Sequence, residues 1–307
     1  MQRPFLGFAV VFLGCLATSA NLDAQDAADY VDRGLAWQKK GEYDKAIADY
    51  DQALAINPED ARACCCRGAA WRAKGEYDKA IADFNRALAI NPQFASAHNG
   101  RGAAWYGKGE YDKALADLNE AIRLKPNEVS AYYGRAMVWY DKGEYDKAMD
   151  DCNEAIRLRP KDAGAYGCRG ILWRIKGEYN KALADFNQAL AITPNLALGY
   201  NAVAWLQATC PDEKYRDGKK AIENATKAYH LSTGKWWGYA GTLAAAYAES
   251  GDFEKAKEWE AKAVELATTD KSAKDKDKRE LRSRLELYQQ GKPYREEPKK
   301  KQGGLNR

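Results

Sequence analysis

The chain has 307 residues, 30% charged and 46% hydrophobic with nine prolines, a balance that excludes a disordered chain and suits a soluble, helix-rich one. Its net charge of +4 is small for this length and unevenly placed, because residues 271–307 hold 13 Lys/Arg against 6 Asp/Glu. The basic character therefore belongs to the tail, where a solvated terminal run is the ordinary reading and nucleic acid a disfavoured partner.

Residues 1–20, "MQRPFLGFAVVFLGCLATSA", place one Arg before an apolar run from Phe5 to Leu16 and end in small residues. That is the layout of a secretory signal peptide, with cleavage expected after Ala20 or Ala24. The run is short for a membrane-spanning helix, which needs about 20 residues. "FLGC" at Phe12–Cys15 loosely resembles a lipid-acylation signal but departs from it at Phe12 and Leu13. Export to the periplasm or cell envelope is expected, with membrane contact only through an uncleaved or lipidated N-terminus.

From residue 27 the chain repeats itself. "KGEYDKA" stands at Lys40–Ala46, Lys74–Ala80, Lys108–Ala114 and Lys142–Ala148, and "KGEYNKA" at Lys176–Ala182, always 34 residues apart. Counted from Ala27, Ala61, Ala95, Val129 and Ala163, place 8 is Gly34, Gly68, Gly102, Ala136 and Gly170, and place 11 is always Trp. Place 20 is always Ala, place 24 is Tyr50, Phe84, Leu118, Cys152 and Phe186, and a Pro closes each unit. Places 4, 7–8 and 11 form one face of a first helix, and places 20, 24 and 27 one face of a second. The Lys–Gly step ends the first helix with a cation at its negative pole and a residue suited to the left-handed conformation. Each unit thus reads as a helical hairpin. Small residues let its helices approach at the close end of about 8–10 Å, and the large residues at places 11 and 24 are expected to plug the gaps. The Trp37-to-Trp173 series should then line up as a continuous buried seam. One hairpin cannot bury both faces, so the units must stack.

This order of Gly, Trp, Gly, Tyr, Ala, aromatic, Ala and Pro at period 34 resembles the tetratricopeptide repeat family. The resemblance covers about residues 27–268 as units 27–60, 61–94, 95–128, 129–162, 163–196, 197–236 and 237–268. The sixth unit carries five extra residues in the loop "ATCPDEKYRDGKK", residues 208–220. It and the seventh unit also look like a terminal pair of many bacterial arrays. The resemblance implies an all-α fold, a right-handed α-solenoid of stacked antiparallel helix pairs, with a C-terminal capping helix over 271–290. On that helix Leu281, Leu285 and Tyr288 share one face. A basic disordered tail is expected over 291–307.

Place 7, usually apolar in the family, is Arg33, Arg67, Arg101, Arg135 and Arg169, and Asp49, Asp83, Asp117, Asp151 and Asp185 follow sixteen residues later. A basic ladder for acidic ligands is one reading. An Arg–Asp pair repeated along the stack is the preferred one, since an unpaired Arg on a buried face is costly. The family's ligand groove is its concave surface, at places 2, 5, 9, 12 and 13 of the first helices. Carried onto this chain, those places supply Arg62, Arg72, Asn99, Tyr106, Tyr133, Tyr140 and Arg174 as partner-binding candidates. Tyr and Arg are enriched at binding hot spots. The family's carboxylate clamp needs Lys and Asn at places 5 and 9, and only Asn99 fits, so capture of a chaperone tail is disfavoured.

No catalytic residue, cofactor or metal site is expected. His98 and His230 are far apart, His98 standing at place 4 where other units have Tyr, and no nucleotide, zinc or hydrolase motif is present. Cys64, Cys65, Cys66, Cys152, Cys168 and Cys210 lack CxxC spacing and read as small apolar filler. The function expected is a non-enzymatic scaffold that binds a peptide or helix of a protein partner in its groove, with no small-molecule substrate. The alternative is an architectural component of an envelope assembly, held through its convex face, loop 208–220 or basic tail.

Overall fold

The computed structural model describes residues 25–234, 236–270 and 273–297; the expected signal segment 1–20 and residues 298–307 of the tail lie outside them. Every regular element among the described residues is helical. Helix α1 (25–39) is followed by α2 (Tyr43–Ile56), α3 (Ala61–Ala73) by α4 (Tyr77–Ile90), and α5 (Ala95–Gly107) by α6 (Tyr111–Leu124). Next come α7 (Val129–Asp141) and α8 (Tyr145–Leu158), α9 (Ala163–Ile175) and α10 (Tyr179–Ile192), then α11 (Ala197–Thr209) and α12 (Gly218–Leu231). Helices α13 (Trp237–Glu249), α14 (Phe253–Thr269) and α15 (Asp275–Gln289) complete the set, with a short 3-10 turn at Glu213–Tyr215. The chain divides into two compact units, Met1–Asp151 and Cys152–Arg307.

In the first unit the repeated phrase builds the turn between hairpin arms. Gly41, Gly75, Gly109 and Gly143 all have φ near +78°. Gly41 N donates to Gln38 O and Glu42 N to Trp37 O, both at 3.0 Å, and the same pair of bonds recurs at the later turns. This Schellman pattern satisfies carbonyls that a helix end otherwise leaves open, and only Gly adopts the required φ without strain. The phrase also joins turn to turn. Lys74 pairs with Asp44 and Lys108 with Asp78, and Lys142 Nζ lies 2.8 Å from Asp112. Tyr77 of one phrase packs where Gly107 leaves room: a Cβ at that glycine would come within 2.5 Å of the Tyr77 ring.

Between the arms, Ala46, Ala80 and Ala114 are fully buried, with Tyr50, Phe84 and Leu118 beside them. The large residue at place 24 leans on the small one at place 8, and a Cβ added to Gly34 would meet the Tyr50 ring at 2.5 Å. Phe84 reaches further, to Gly100 of the next hairpin, where a Cβ would meet it at 2.4 Å. Place 24 is therefore the seam of the stack, and the tryptophans are not. Trp37, Trp71, Trp105, Trp139 and Trp173 are only half-buried, which corrects the expected Trp seam. Each indole carries a lysine ammonium from the following arm, Lys45 at 4.7 Å, Lys79 at 4.5 Å, Lys113 at 4.6 Å, Lys147 at 4.5 Å and Lys181 at 4.5 Å from the ring centre. A hydrated cation needs an edge in water, and that holds the indole at the margin of the core.

The Arg–Asp pairing is present in every regular unit. Arg67 donates Nε and Nη2 to Asp83 at 2.8 and 2.6 Å, Arg101 to Asp117 at 2.7 and 2.6 Å, and Arg135 to Asp151 at 2.9 and 2.6 Å. Arg33–Asp49 and Arg169–Asp185 have the same bidentate geometry. The five aspartates are only 4–7% exposed. Each arginine that follows another hairpin uses its remaining nitrogen to reach back: Arg67 Nη1 to Asp51, Arg101 to Asn85 and Arg135 to Asn119, all at 2.6 Å. Place 25, which supplies those acceptors, was not singled out in the sequence. At place 4, His98 Nε2 lies 3.0 Å from Pro92 O, the position where Tyr132 OH donates to Pro126 O at 3.1 Å, so His98 is a packing substitute.

In the second unit Arg169 repeats the back-reach, with Nη1 3.0 Å from Asn153, and Phe186 fills the space that Gly170 leaves. Cys152 Sγ donates to Cys168 Sγ at 2.9 Å, and Cys152 and Cys210 are buried. Loop 208–220 is held down by Arg216, which donates to Cys210 O and to Glu249 Oε1, each at 3.0 Å. Helix α15 packs on α14 through Leu281, Arg284 and Tyr288. The expected face placed Leu285 there; instead a charged residue takes the buried position. Arg284 fits because Gly241 has no Cβ to obstruct its guanidinium, and because Glu260 on α14 accepts from its Nε at 2.9 Å. The other oxygen of Glu260 and the Tyr288 hydroxyl are buried without a hydrogen-bond partner among the described residues.

Replacing Asp117 by Ala strands the Arg101 guanidinium against a closed hairpin, and a loss of about 2–3 kcal/mol is expected. Arg33→Ala, which leaves the 7%-exposed Asp49 carboxylate without the two bonds that hold it, should lower the melting temperature as well. Equal melting temperatures for parent and Asp117→Ala contradict a structural pair. A second outcome concerns pH. Burial, opposed by Arg284 and reinforced by Glu280, raises the Glu260 carboxyl from 4.5 to about 7. A folded-state value above the unfolded one gives stability that is present below about pH 4.5 and lost as pH rises through about 7. The advantage in melting temperature of the parent over Glu260→Gln should therefore shrink between pH 5 and pH 8; a constant or growing advantage contradicts it.

Candidate functional site

Within the first unit, the candidate groove residues lie on the first arms of successive hairpins, and most of them are engaged with their neighbours. Arg62 on α3 donates Nη2 to Asp32 of α1 at 2.8 Å. Asn99 on α5 donates to Ser130 Oγ of α7 at 2.9 Å. Tyr106 on α5 donates to Asp141 Oδ2 of α7 at 3.1 Å, and Tyr111 reaches the same oxygen at 3.2 Å. Burial with Asp141 beside it raises the Tyr106 phenol above its usual range, so it remains a donor at neutral pH. Tyr140 stands edge-on to Tyr145 with ring centres 5.9 Å apart. Tyr133 is half-buried, while Arg72 and Met137 are exposed. The six candidates of this unit are spread along α3, α5 and α7 in a face of side-by-side polar contacts, from which Arg72 and Met137 stand clear.

In the second unit the first-arm face is covered, and the covering segment belongs to the chain itself. Helix α15 ends at Gln289 and the chain turns at Gly291 with φ +67°, after which residues 292–297 run without regular structure across α9, α11 and α13. Composition places these residues in a disordered tail; their side chains instead find specific partners. The Glu296 carboxylate pairs with Arg174 of α9 and accepts from Trp205 Nε1 of α11 at 3.1 Å. Its backbone N–H donates to Thr209 O at 2.9 Å, one of the carbonyls that the end of α11 leaves open. Arg295 Nη1 lies 3.3 Å from Ala208 O, and its Nη2 is 2.5 Å from Glu249 Oε2 of α13. That places a cation at the negative pole of α11, against a carboxylate already holding Arg216. The Tyr294 ring lies against Trp205 with centres 5.8 Å apart and planes tilted by 46°, and the Arg284 guanidinium lies 5.1 Å from Trp205 and 5.8 Å from Tyr294.

Arg174 is thus the candidate whose engagement is with an extended segment rather than with a neighbouring arm, and its side chain is only 13% exposed. Trp205 and Thr209 occupy places 9 and 13 of the sixth unit, groove places that the irregular spacing of that unit obscured. The contacts of residues 294–296 with α9 and α11 span 87 positions or more along the chain (Arg295 to Ala208), and no local pattern announces them. Burial pushes the Cys65 thiol up to about 12, away from a nucleophile or metal ligand at neutral pH. Among the described residues no group of three or more His, Cys, Asp or Glu is placed to hold a metal ion. No helix among them is long and apolar enough to cross a membrane.

Family models described as tetratricopeptide repeat match residues 27–60, 106–163, 163–196 and 239–270, and one described as TPR repeat matches 70–109. No curated protein sequence matches the chain. Among solved structures, a tetratricopeptide repeat protein from Parabacteroides merdae is similar at TM-score 0.62 and 18% identity, over 86% of this chain and 99% of that one. The Pseudomonas aeruginosa protein pilF is similar at TM-score 0.58 and 19% identity, over 69% and 94% of the two chains. TTC0263 from Thermus thermophilus follows at TM-score 0.51 and 21% identity, over 66% and 98%. At these identities the likeness is one of fold, and it agrees with the helix pairs described above. The matched models are all repeat models, and none describes a catalytic family. The chain is an all-α solenoid built of tetratricopeptide repeats.

Proposed function

We propose that this chain is an exported, non-catalytic scaffold that takes an extended segment of a protein partner along the first-arm faces of its repeats. One observation carries the reading: residues 292–297 lie along the α9–α11–α13 face with an aromatic ring, a guanidinium and a carboxylate each seated on a complementary group. A surface that accommodates one extended peptide through side chains and a helix-end carbonyl has the chemistry to accommodate another. The polar, Tyr-rich face of the first unit, with Arg72 and Met137 exposed, is a surface of the kind that protein partners use. The architectural alternative through loop 208–220 has less to stand on, because Arg216 ties that loop to Glu249 and to Cys210 O. The signal-like N-terminus supports export.

A photo-crosslinking residue placed at Met137 on α7, or at Lys79 on the second arm α4, separates the two readings in living cells. Groove capture predicts one discrete crosslinked partner from Met137 and none from Lys79. Crosslinks from Lys79 alone favour the architectural reading and sink this one. The N-terminus of the same recovered chain should begin at Asn21 or Gln25; an intact Met1 argues against export by cleavage.

A further inference from the structure

The segment Tyr294–Arg295–Glu296 has features of a ligand rather than of a core element. Among the described residues its backbone makes one hydrogen bond to the face it covers, from Glu296 N to Thr209 O. The remaining attachment is by side chains, and it reads three chemistries in order: a ring on Trp205, a cation between Glu249 and the end of α11, and a carboxylate on Arg174 and Trp205 Nε1. Opening such a segment disturbs few backbone bonds, which places it at the low-stability end of the fold. The face it leaves behind is charged and partly buried. Arg174 and Glu249, each 13% exposed with the segment in place, lose the carboxylate and the guanidinium that face them. Groups of this kind favour a replacement of the same charge order over water.

We propose that residues 292–297 are an intramolecular ligand that occupies the α9–α11–α13 face, and that this face binds partner peptides carrying the same aromatic–basic–acidic order by exchange with it. This deepens the scaffold reading and rests on it, by naming the partner chemistry and the device that regulates access. The tether from Gln289 to Lys292 is short, so the segment competes at an effective concentration on the order of millimolar. A partner peptide therefore needs either higher affinity or a second point of attachment to displace it, and weak lookalike sequences are excluded. The tail acts as a threshold on binding.

The test uses the full chain and a fluorescent peptide of the sequence QGKPYREE, residues 290–297, followed by anisotropy. In the double variant Tyr294→Ala/Glu296→Lys, whose changes lie beyond the last helix, the peptide should bind at least about tenfold more tightly than to the parent chain. Adding Arg174→Glu to that variant should abolish binding, and so should reversing the peptide's charges in the unaltered double variant. No binding to the double variant, or equal affinity for parent and double variant, overturns the proposal. A parent chain that sediments as a dimer and becomes monomeric on Glu296→Lys overturns the intramolecular form, by seating the segment in a second copy. The crosslinking at Met137 reads the first unit and does not depend on the tail. A crosslinked partner without peptide binding removes this inference alone, whereas peptide binding without a crosslinked partner removes capture by the first unit and leaves the α9–α11–α13 face as the partner site.

Discussion

The guanidinium of Arg101 touches two helical hairpins at once, donating Nε and Nη2 to Asp117 of its own hairpin and Nη1 to Asn85 of the one before. The same three-point contact recurs at Arg67, Arg135 and Arg169. An aspartate closed off from water is costly to leave without a partner, and the planar fork of Arg is the side chain that meets a carboxylate with two bonds and still has a donor free. Closure of one hairpin and docking on the next are thereby joined at one residue. The apolar contacts at place 24 supply area, but they are tolerant of exchange, since Tyr, Phe, Leu and Cys all serve there. The arginine sets register.

That arrangement also settles what kind of surface the first arms present. With register fixed by Arg and Asp, places 2, 5, 12 and 13 of one arm come beside those of the next, and polar residues there pair across the gap, as Asn99 with Ser130 and Tyr106 with Asp141. A face held by such pairs is preorganised, which lowers the ordering cost of binding. Where the regular units give way to the sixth and seventh, Val203 stands in place of Arg and the pairs stop. There the face is completed by the chain's own segment, with Glu296 supplying to Arg174 the carboxylate that a neighbouring arm supplies elsewhere. The buried Glu260–Arg284 pair behind Trp205 holds the plate on which Tyr294 rests.

Much of this was legible in the sequence because repetition averages out accident. The left-handed glycine after each Lys, the Arg–Asp spacing of sixteen and the small residues opposite place 24 each recur five times or nearly so, and each has a local physical cause. What was not legible had a different character. The Trp series looked like a core because indole is large and apolar, yet Lys45, Lys79 and their counterparts cover it and keep it at the margin. Arg284 looked like a solvent-facing charge because its partner Glu260 is 24 positions away. The docking of Tyr294, Arg295 and Glu296 is carried by contacts from remote helices to a stretch rich in Pro, Gly and charge, and composition alone assigns such a stretch to solvent.

The claim that one arginine couples hairpin closure to hairpin stacking is tested most directly by a double-mutant cycle on Asn85 and Asp117, two residues that Arg101 bridges. If Asp117 holds the guanidinium in place for Asn85, truncating Asn85 to Ala in the Asp117→Ala background should cost almost nothing beyond the first change. The account predicts a coupling energy of about 0.5–1.5 kcal/mol from chemical denaturation of the four chains. Strictly additive losses would show that closure and stacking are independent, and would contradict it.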